Sequence, residues 1–170
     1  MRIQGKAWKF GKNIDTDAII PARYCNTADP ARLAPHCLED ADPTFVSKMS
    51  PGDVVVADEN FGCGSSREVA PITLKAAGVS AVVAKSFARI FFRNSINIGL
   101  PIFESAAAVD GITEGDEISI DPAAGILTNH TQDVAYPLEP FPEFLQEMIR
   151  LGGLRYWVEN KLKTASQSKI

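Results

Sequence analysis

The sequence predicts an α/β fold, one compact domain in which helices flank a mixed β-sheet. Two observations carry this. The apolar run Val54 to Val56, a loop, the helix-forming stretch ITLKAAG and a second apolar run in VSAVVAKS follow one another, within about 35 residues, the size and order of a βαβ unit with parallel strands. Further along, EGDEISID, the turn PAAG and ILTNHTQDVAYPLE have the pattern of an antiparallel hairpin.

The other elements follow in order. RIQGKAWKF alternates imperfectly and is expected to be an edge strand, ended by a turn at Gly11 and Asn13. DTDAIIPARYCNTADP suits neither a helix nor a regular strand and is expected to be a long ordered loop, a feature uncommon without a function. Asp29 or Asp42 is placed to cap a short helix, the first of which, PARLAPHCLE, has Pro30 at its first position and Pro35 to bend or stop it. The strand at Val54 to Val56 is expected to be buried on both faces, and Gly78 to end the helix that follows. SFARIFFRNSINIG restarts a helix with Ser86 as candidate cap and an apolar face of Ile90, Phe91 and Phe92. Arg89 and Arg93, four apart on that helix, share a face expected to be solvated. PFPEFLQEMIRLGG is expected to be helical from Pro140 or Pro142 to its glycine stop, and the polar end, from about 163 to 170, to fray. The single domain spans residues 1–170.

Composition and charge exclude several classes. With 17 basic against 21 acidic side chains, a formal net charge of -4 and no run of Lys or Arg, the chain has no footprint for nucleic acid. MRIQGKAWKF lacks the apolar core of a signal peptide, and no segment approaches the roughly 18 apolar residues of a membrane span. A cytoplasmic protein with no membrane contact is expected. Cys25, Cys37 and Cys63 stand 12 and 26 apart with no C-x-x-C pair, so neither a disulfide framework nor a metal or iron–sulfur site is expected on this chain. His36 and His130 are read as surface or satisfied core residues, and Cys63 as a small residue beside two glycines.

The chemistry concentrates in NFGCGSSREVAP, Asn60 to Pro71. Gly62 and Gly64 permit backbone conformations closed to other residues, between a strand and a helix. Ser65 and Glu68 have the spacing of a capping box, which predicts Ser65 as helix cap with Ser66 and Arg67 in the first turn. Free N–H groups, the helix dipole and the planar Arg67 fork would then favour an anion. Arg67 stands where a dinucleotide fingerprint needs its third glycine, and no G-K-S/T follows, so both nucleotide readings are weak.

NFGCGSSREVAP, with AKSFARIFFRNSINIGLP, DTDAIIPARYCNT and EFLQEMIRLGGLRYW, resembles the small subunits of 3-isopropylmalate dehydratases, relatives of the swivelling β/β/α domain of aconitase. The resemblance runs along nearly the whole chain. It implies a hydro-lyase of leucine biosynthesis that interconverts 2-isopropylmalate and 3-isopropylmalate by dehydration and rehydration. Ser65 would be the base, while Ser66, Arg67 and Gly64 would bind the substrate. Arg23, Tyr24, Cys25, Asn26 and Thr27 would form the loop that meets the variable group of the substrate. In that loop Tyr24 and Cys25 offer apolar surface and Arg23 a possible carboxylate ligand, with Asp15 and Asp17 organising the segment through Asx-type hydrogen bonds. The resemblance also implies a large-subunit partner carrying a 4Fe-4S cluster, without which this chain is inactive. Val69 stands where the family commonly has histidine, and Cys25 where leucine is commoner. Another malate derivative (2,3-dimethylmalate, citramalate or homoaconitate type) is therefore an alternative substrate. A non-catalytic anion- or RNA-binding module is the alternative of another class.

Overall fold

The computed structural model describes residues 2–167. Seven strands form one sheet: β1 (Ile3–Phe10), β2 (Val54–Ala57), β3 (Ala81–Ala84), β4 (Ile102–Glu104), β5 (Glu117–Asp121), β6 (Ile126–Asn129) and β7 (Val134–Pro137). Their spatial order is β4-β3-β2-β1-β5-β6-β7. The β4-β3-β2-β1 half is parallel and the rest antiparallel.

The strand expected at an edge is central. The first half of β1, Ile3–Lys6, pairs with β5, and its second half, Ala7–Phe10, with β2. This division explains the imperfect alternation. Ile3 and Ala7 lie in the core on one side of the sheet, whereas Trp8 and Phe10 pack into the core on the other, so the apolar set changes phase within the strand. The expected hairpin is a three-stranded meander, because ILTNHTQDVAYPLE itself turns at 130–133, where Asn129 Oδ1 accepts from Gln132 N.

Around the sheet lie α1 (Thr16–Ile19), α2 (Pro30–Leu33), α3 (Phe45–Lys48), α4 (Val69–Ala77), α5 (Arg89–Ile98), α6 (Ala106–Gly111), α7 (Glu143–Arg150) and α8 (Leu154–Gln167). β2 and β3 are buried on both faces, as parallel strands between helices must be. Val55, Ala57, Val82 and Ala84 face a core with Leu33, Phe45, Leu74 and Phe91. Val54, Val56, Ala81 and Val83 face a second with Val109, Ile118, Ile120 and Leu127. The expected long loop is broken by α1 and a short 3-10 turn, Ala22–Tyr24. Asp29 caps α2 by accepting from Ala31 N, with Pro30 at the first helical position. α8 takes in 163–167 of the segment expected to fray, and 168–170 lie outside the described residues. No helix among the described residues is long and apolar enough to cross a membrane.

Asp53 joins β1 to β2. Its Oδ1 accepts from Lys6 N, and its Oδ2 from Trp8 Nε1 and Ser50 N, at 2.8–2.9 Å. The residue is almost wholly buried. Either orientation of an asparagine would turn an NH₂ toward a donor, so Asp53→Asn is expected to cost about 1–3 kcal/mol in a denaturant titration.

Candidate active site

The connections that leave the carboxyl ends of β1, β2 and β3 are tied side by side. Asn13 N donates to Glu59 O at 2.9 Å, Gly62 N to Ile14 O at 2.7 Å and Thr16 N to Cys63 O at 2.9 Å. On the other flank Phe61 N donates to Ser86 O and Ala88 N to Phe61 O, both at 3.0 Å. The loop between β2 and α4 thus lies between its two neighbours at the end of the sheet where open α/β folds place ligands. Phe61 and Phe91 meet edge to face at 5.3 Å, which anchors the start of α5 to this loop.

A cleft of about 620 Å³ opens there, lined by Gly62, Gly64, Ser65, Ala88, Arg89, Ile90 and Arg93. Ser65 and Ser66 are exposed. Neither Ser65 nor Ser66 caps a helix. α4 begins at Val69, and Glu68 at its N-cap makes no capping bond. Pro71 is the reason: a helix begun at Ser65 would need a proline N–H bonded to the Arg67 carbonyl, whereas as the third residue of α4 Pro71 needs no donor. Ser86 does not cap α5 either, since its Oγ accepts from Asn60 N at 2.9 Å.

Arg67 turns toward the segment after β1. Its Nη1 donates to Asp17 Oδ1 at 2.5 Å and lies 3.9 Å from Cys25 Sγ. The ion pair with Asp17 is the main reason its guanidinium is held above its ordinary pKa, against burial. Its Nε and Nη2 donors have no partner among the described residues. Asp15 caps α1, accepting from Ala18 N at 2.7 Å. Thr16 Oγ1 is the one buried side-chain polar atom among the described residues without a hydrogen bond, and it lies 3.6 Å from where a Cβ on Gly64 would stand.

The rest of the predicted loop divides in two. Cys25 lies beside Arg67, with its Sγ 3.6 Å from Pro21 O. Tyr24 stacks on His36 with ring centroids 3.6 Å apart. Asn26 is exposed, and Thr27 Oγ1 accepts from Asp29 N at 3.1 Å. Arg23 does not present a free fork for a substrate carboxylate. It donates to both oxygens of Asp40, at 3.1 and 2.7 Å, and to Glu39 at 2.5 Å, with its guanidinium over the Tyr24 ring. Those bonds hold Arg23 above its ordinary pKa, Asp40 contributing most.

Arg89 and Arg93 share the solvated face expected of them, and that face also lines the cleft, a placement not anticipated from the sequence. Both are exposed in the cleft with Ser65, and neither makes a hydrogen bond or ion pair among the described residues. Their i,i+4 spacing was the available signal. Of the cysteines, Cys37 is buried in the core and its thiol is pushed far up by that burial. No three His, Cys, Asp or Glu side chains among the described residues converge to hold a metal.

The family model described as Aconitase C-terminal domain matches residues 39–106, a span that includes the Ser65 loop and α5. A protein of Moorella thermoacetica described as 3-isopropylmalate dehydratase small subunit is 61% identical over 165 residues, 97% of this chain and 99% of its own. Another so described, from Thermodesulfovibrio yellowstonii, is 59% identical across 95% of this chain and 96% of its own. The crystal structure of a 3-isopropylmalate dehydratase from Methanocaldococcus jannaschii matches with a TM-score of 0.92 at 43% identity, covering 99% of each chain. Thermococcus kodakaraensis aconitase X, at 11% identity and a TM-score of 0.50 over 81% of this chain and 90% of that one, shares the fold alone. The expected fold, a mixed sheet of the aconitase type, is the fold observed.

Proposed function

The chain belongs to the family of 3-isopropylmalate dehydratase small subunits, and on that premise we propose that it supplies one half of a hydro-lyase active site completed by a large subunit. The reaction is the interconversion of 2-isopropylmalate and 3-isopropylmalate through 2-isopropylmaleate, a step of leucine biosynthesis. The observation that carries the assignment is Ser65 in the wall of an open cleft, with the unused donors of Arg67 two residues on.

Ser65, as the alkoxide, takes the proton from the carbon beside a carboxylate. An O–H bond forms, the C–H bond breaks, and its electron pair becomes the second carbon–carbon bond as hydroxide leaves the neighbouring carbon. Ser66 and the free side of Arg67 hold the carboxylate next to the reacting carbon, so charge that develops there meets donors already in place. Rehydration runs the other way, with the Ser65 hydroxyl returning the proton. Loss of hydroxide needs a Lewis acid, which a 4Fe-4S cluster on the large subunit would supply. The cysteines of this chain do not fit that group, because Cys37 is sealed in the core.

The segment from Tyr24 to Thr27 reads the alkyl group. Cys25 stands beside the Arg67 fork, so a substrate held there by a carboxylate meets a small, weakly polar side chain next to it. Arg23 organises the segment through Glu39 and Asp40 and leaves substrate charge to Arg67.

Two measurements on the reconstituted, cluster-loaded pair test this. Across isopropylmalate, citramalate, 2,3-dimethylmalate and homoaconitate, kcat/KM is expected to be highest for isopropylmalate, by roughly tenfold or more for each alkyl carbon removed. A higher value for another compound would transfer the assignment to it. Arg67→Lys is expected to raise KM by about 10- to 100-fold, because an ammonium cannot serve Asp17 and a carboxylate with one planar fork. An unchanged KM would remove Arg67 from the carboxylate site.

A further inference from the structure

A serine hydroxyl is far too weak a base near neutral pH unless positive charge stabilises its alkoxide. Two sources of such charge that the sequence suggests are absent at Ser65. The helix start lies at Val69, so no first-turn N–H groups point from Ser65 itself. Arg67 is turned toward Asp17, with which it is ion-paired, and its remaining donors are the ones assigned to the substrate carboxylate. The titratable groups around the loop are Asp15 and Asp17 from the start of α1, Cys25 from the turn after it, and Cys63, Arg67 and Glu68 from the loop, so three acids stand against the single cation Arg67. Asp15 Cβ lies 3.6 Å from where a Cβ on Gly64 would stand. Its field is visible in Cys63, whose thiol is held above its ordinary pKa by burial and then by the charge of Asp15.

The cleft contains one compensating feature. Arg89 and Arg93 line it with Ser65, and neither has an acid partner among the described residues, so both charges are available to the cleft. Their placement costs stability. Arg89 is the first residue of α5 and Arg93 stands one turn on, so like charges four apart sit at the positive end of the helix dipole. An anion in the cleft would offset that cost. Packing fixes the pair against the loop, since Phe91, between them on α5, lies against Gly62 and Phe61.

We propose that Arg89 and Arg93 are positioning residues that stabilise the alkoxide of Ser65 and so make it a base. They act through Ser65 rather than on the reacting carbon. The inference rests on Ser65 being the base, and its test separates the two. In the reconstituted pair, kcat/KM is followed against pH for the wild type, Arg89→Gln, Arg93→Gln, the corresponding lysine variants and Ser65→Ala. Each glutamine variant is expected to shift the ascending limb upward by roughly one pH unit, a loss of about tenfold near neutrality that higher pH restores. The lysine variants, which keep the charge, should return the limb toward its wild-type position. Glutamine variants with an unmoved limb would overturn the proposal, as would a loss traced wholly to weaker binding of the large subunit. Wild-type turnover in Ser65→Ala would instead overturn the assignment of the base, whatever the arginine variants do.

Discussion

Replacing Ser65 with alanine is expected to lower isomerisation by the reconstituted pair by about 10²- to 10⁴-fold, the range typical of a positioned acid–base group. The substitution removes one exposed oxygen from a loop whose shape is set elsewhere. Bonds from Phe61 N, Gly62 N and Thr16 N hold the backbone just before it, Arg67 N donates to Ser65 O after it, and no hydrogen bond among the described residues uses the Ser65 hydroxyl. Thermal stability and affinity for the large subunit should therefore be unchanged, and the loss should fall in kcat with KM nearly constant, the signature of an interaction made in the transition state. Substrate affinity falling with kcat held constant would make Ser65 a binding residue instead.

Gly62→Ala is expected to have the largest effect on the fold of any single methyl group at the site. Gly62 has φ +77, in the region that side chains disfavour. A Cβ there would stand 2.1 Å from Phe91 Cγ, inside a ring that is itself buried. The left-handed backbone costs about 1–2 kcal/mol for an L residue, and overpacking against an immobile ring adds about 1–3 kcal/mol more. A denaturant titration should register a loss of roughly 2–5 kcal/mol. Because the ring can escape only by moving α5, the variant should also displace Arg89 and Arg93 from Ser65. Phe91→Leu in the same background should recover part of the stability, since the smaller side chain makes room for the methyl group. A Gly62→Ala chain as stable as the wild type would mean that the loop and α5 are not locked together as described.

What was legible in the sequence follows from where local signals act alone. β2, α4 and β3 were readable because a both-faces-buried strand and a glycine-stopped helix are written in consecutive residues. The central place of β1 was not, because its two halves face different cores and so break the period that marks a strand. Ser65 and Arg67 stood out by residue type and neighbourhood, but their electrostatics did not. The capping-box spacing suggested a helix start that Pro71 forbids, a conflict visible in the sequence and resolved only by the observed start at Val69. The engagement of Arg23, a possible carboxylate ligand by sequence, is not legible because its partners Glu39 and Asp40 lie 16 and 17 residues away. The solvated face expected of Arg89 and Arg93 is observed, but its place beside the Ser65 loop is not legible. Their environment is made by Gly62 to Ser65, a contact across chain segments that no local pattern encodes.

As the proton-transferring half of a divided active site, this chain should need its partner for turnover. The most direct measurement is isomerisation by the purified chain, by a cluster-loaded large subunit of the isopropylmalate type, and by the two together, followed through the alkene intermediate. Neither chain alone should interconvert 2-isopropylmalate and 3-isopropylmalate, and the assembled pair should. An assembled, cluster-loaded pair that leaves isopropylmalate unchanged, or turnover by this chain alone, would contradict that role.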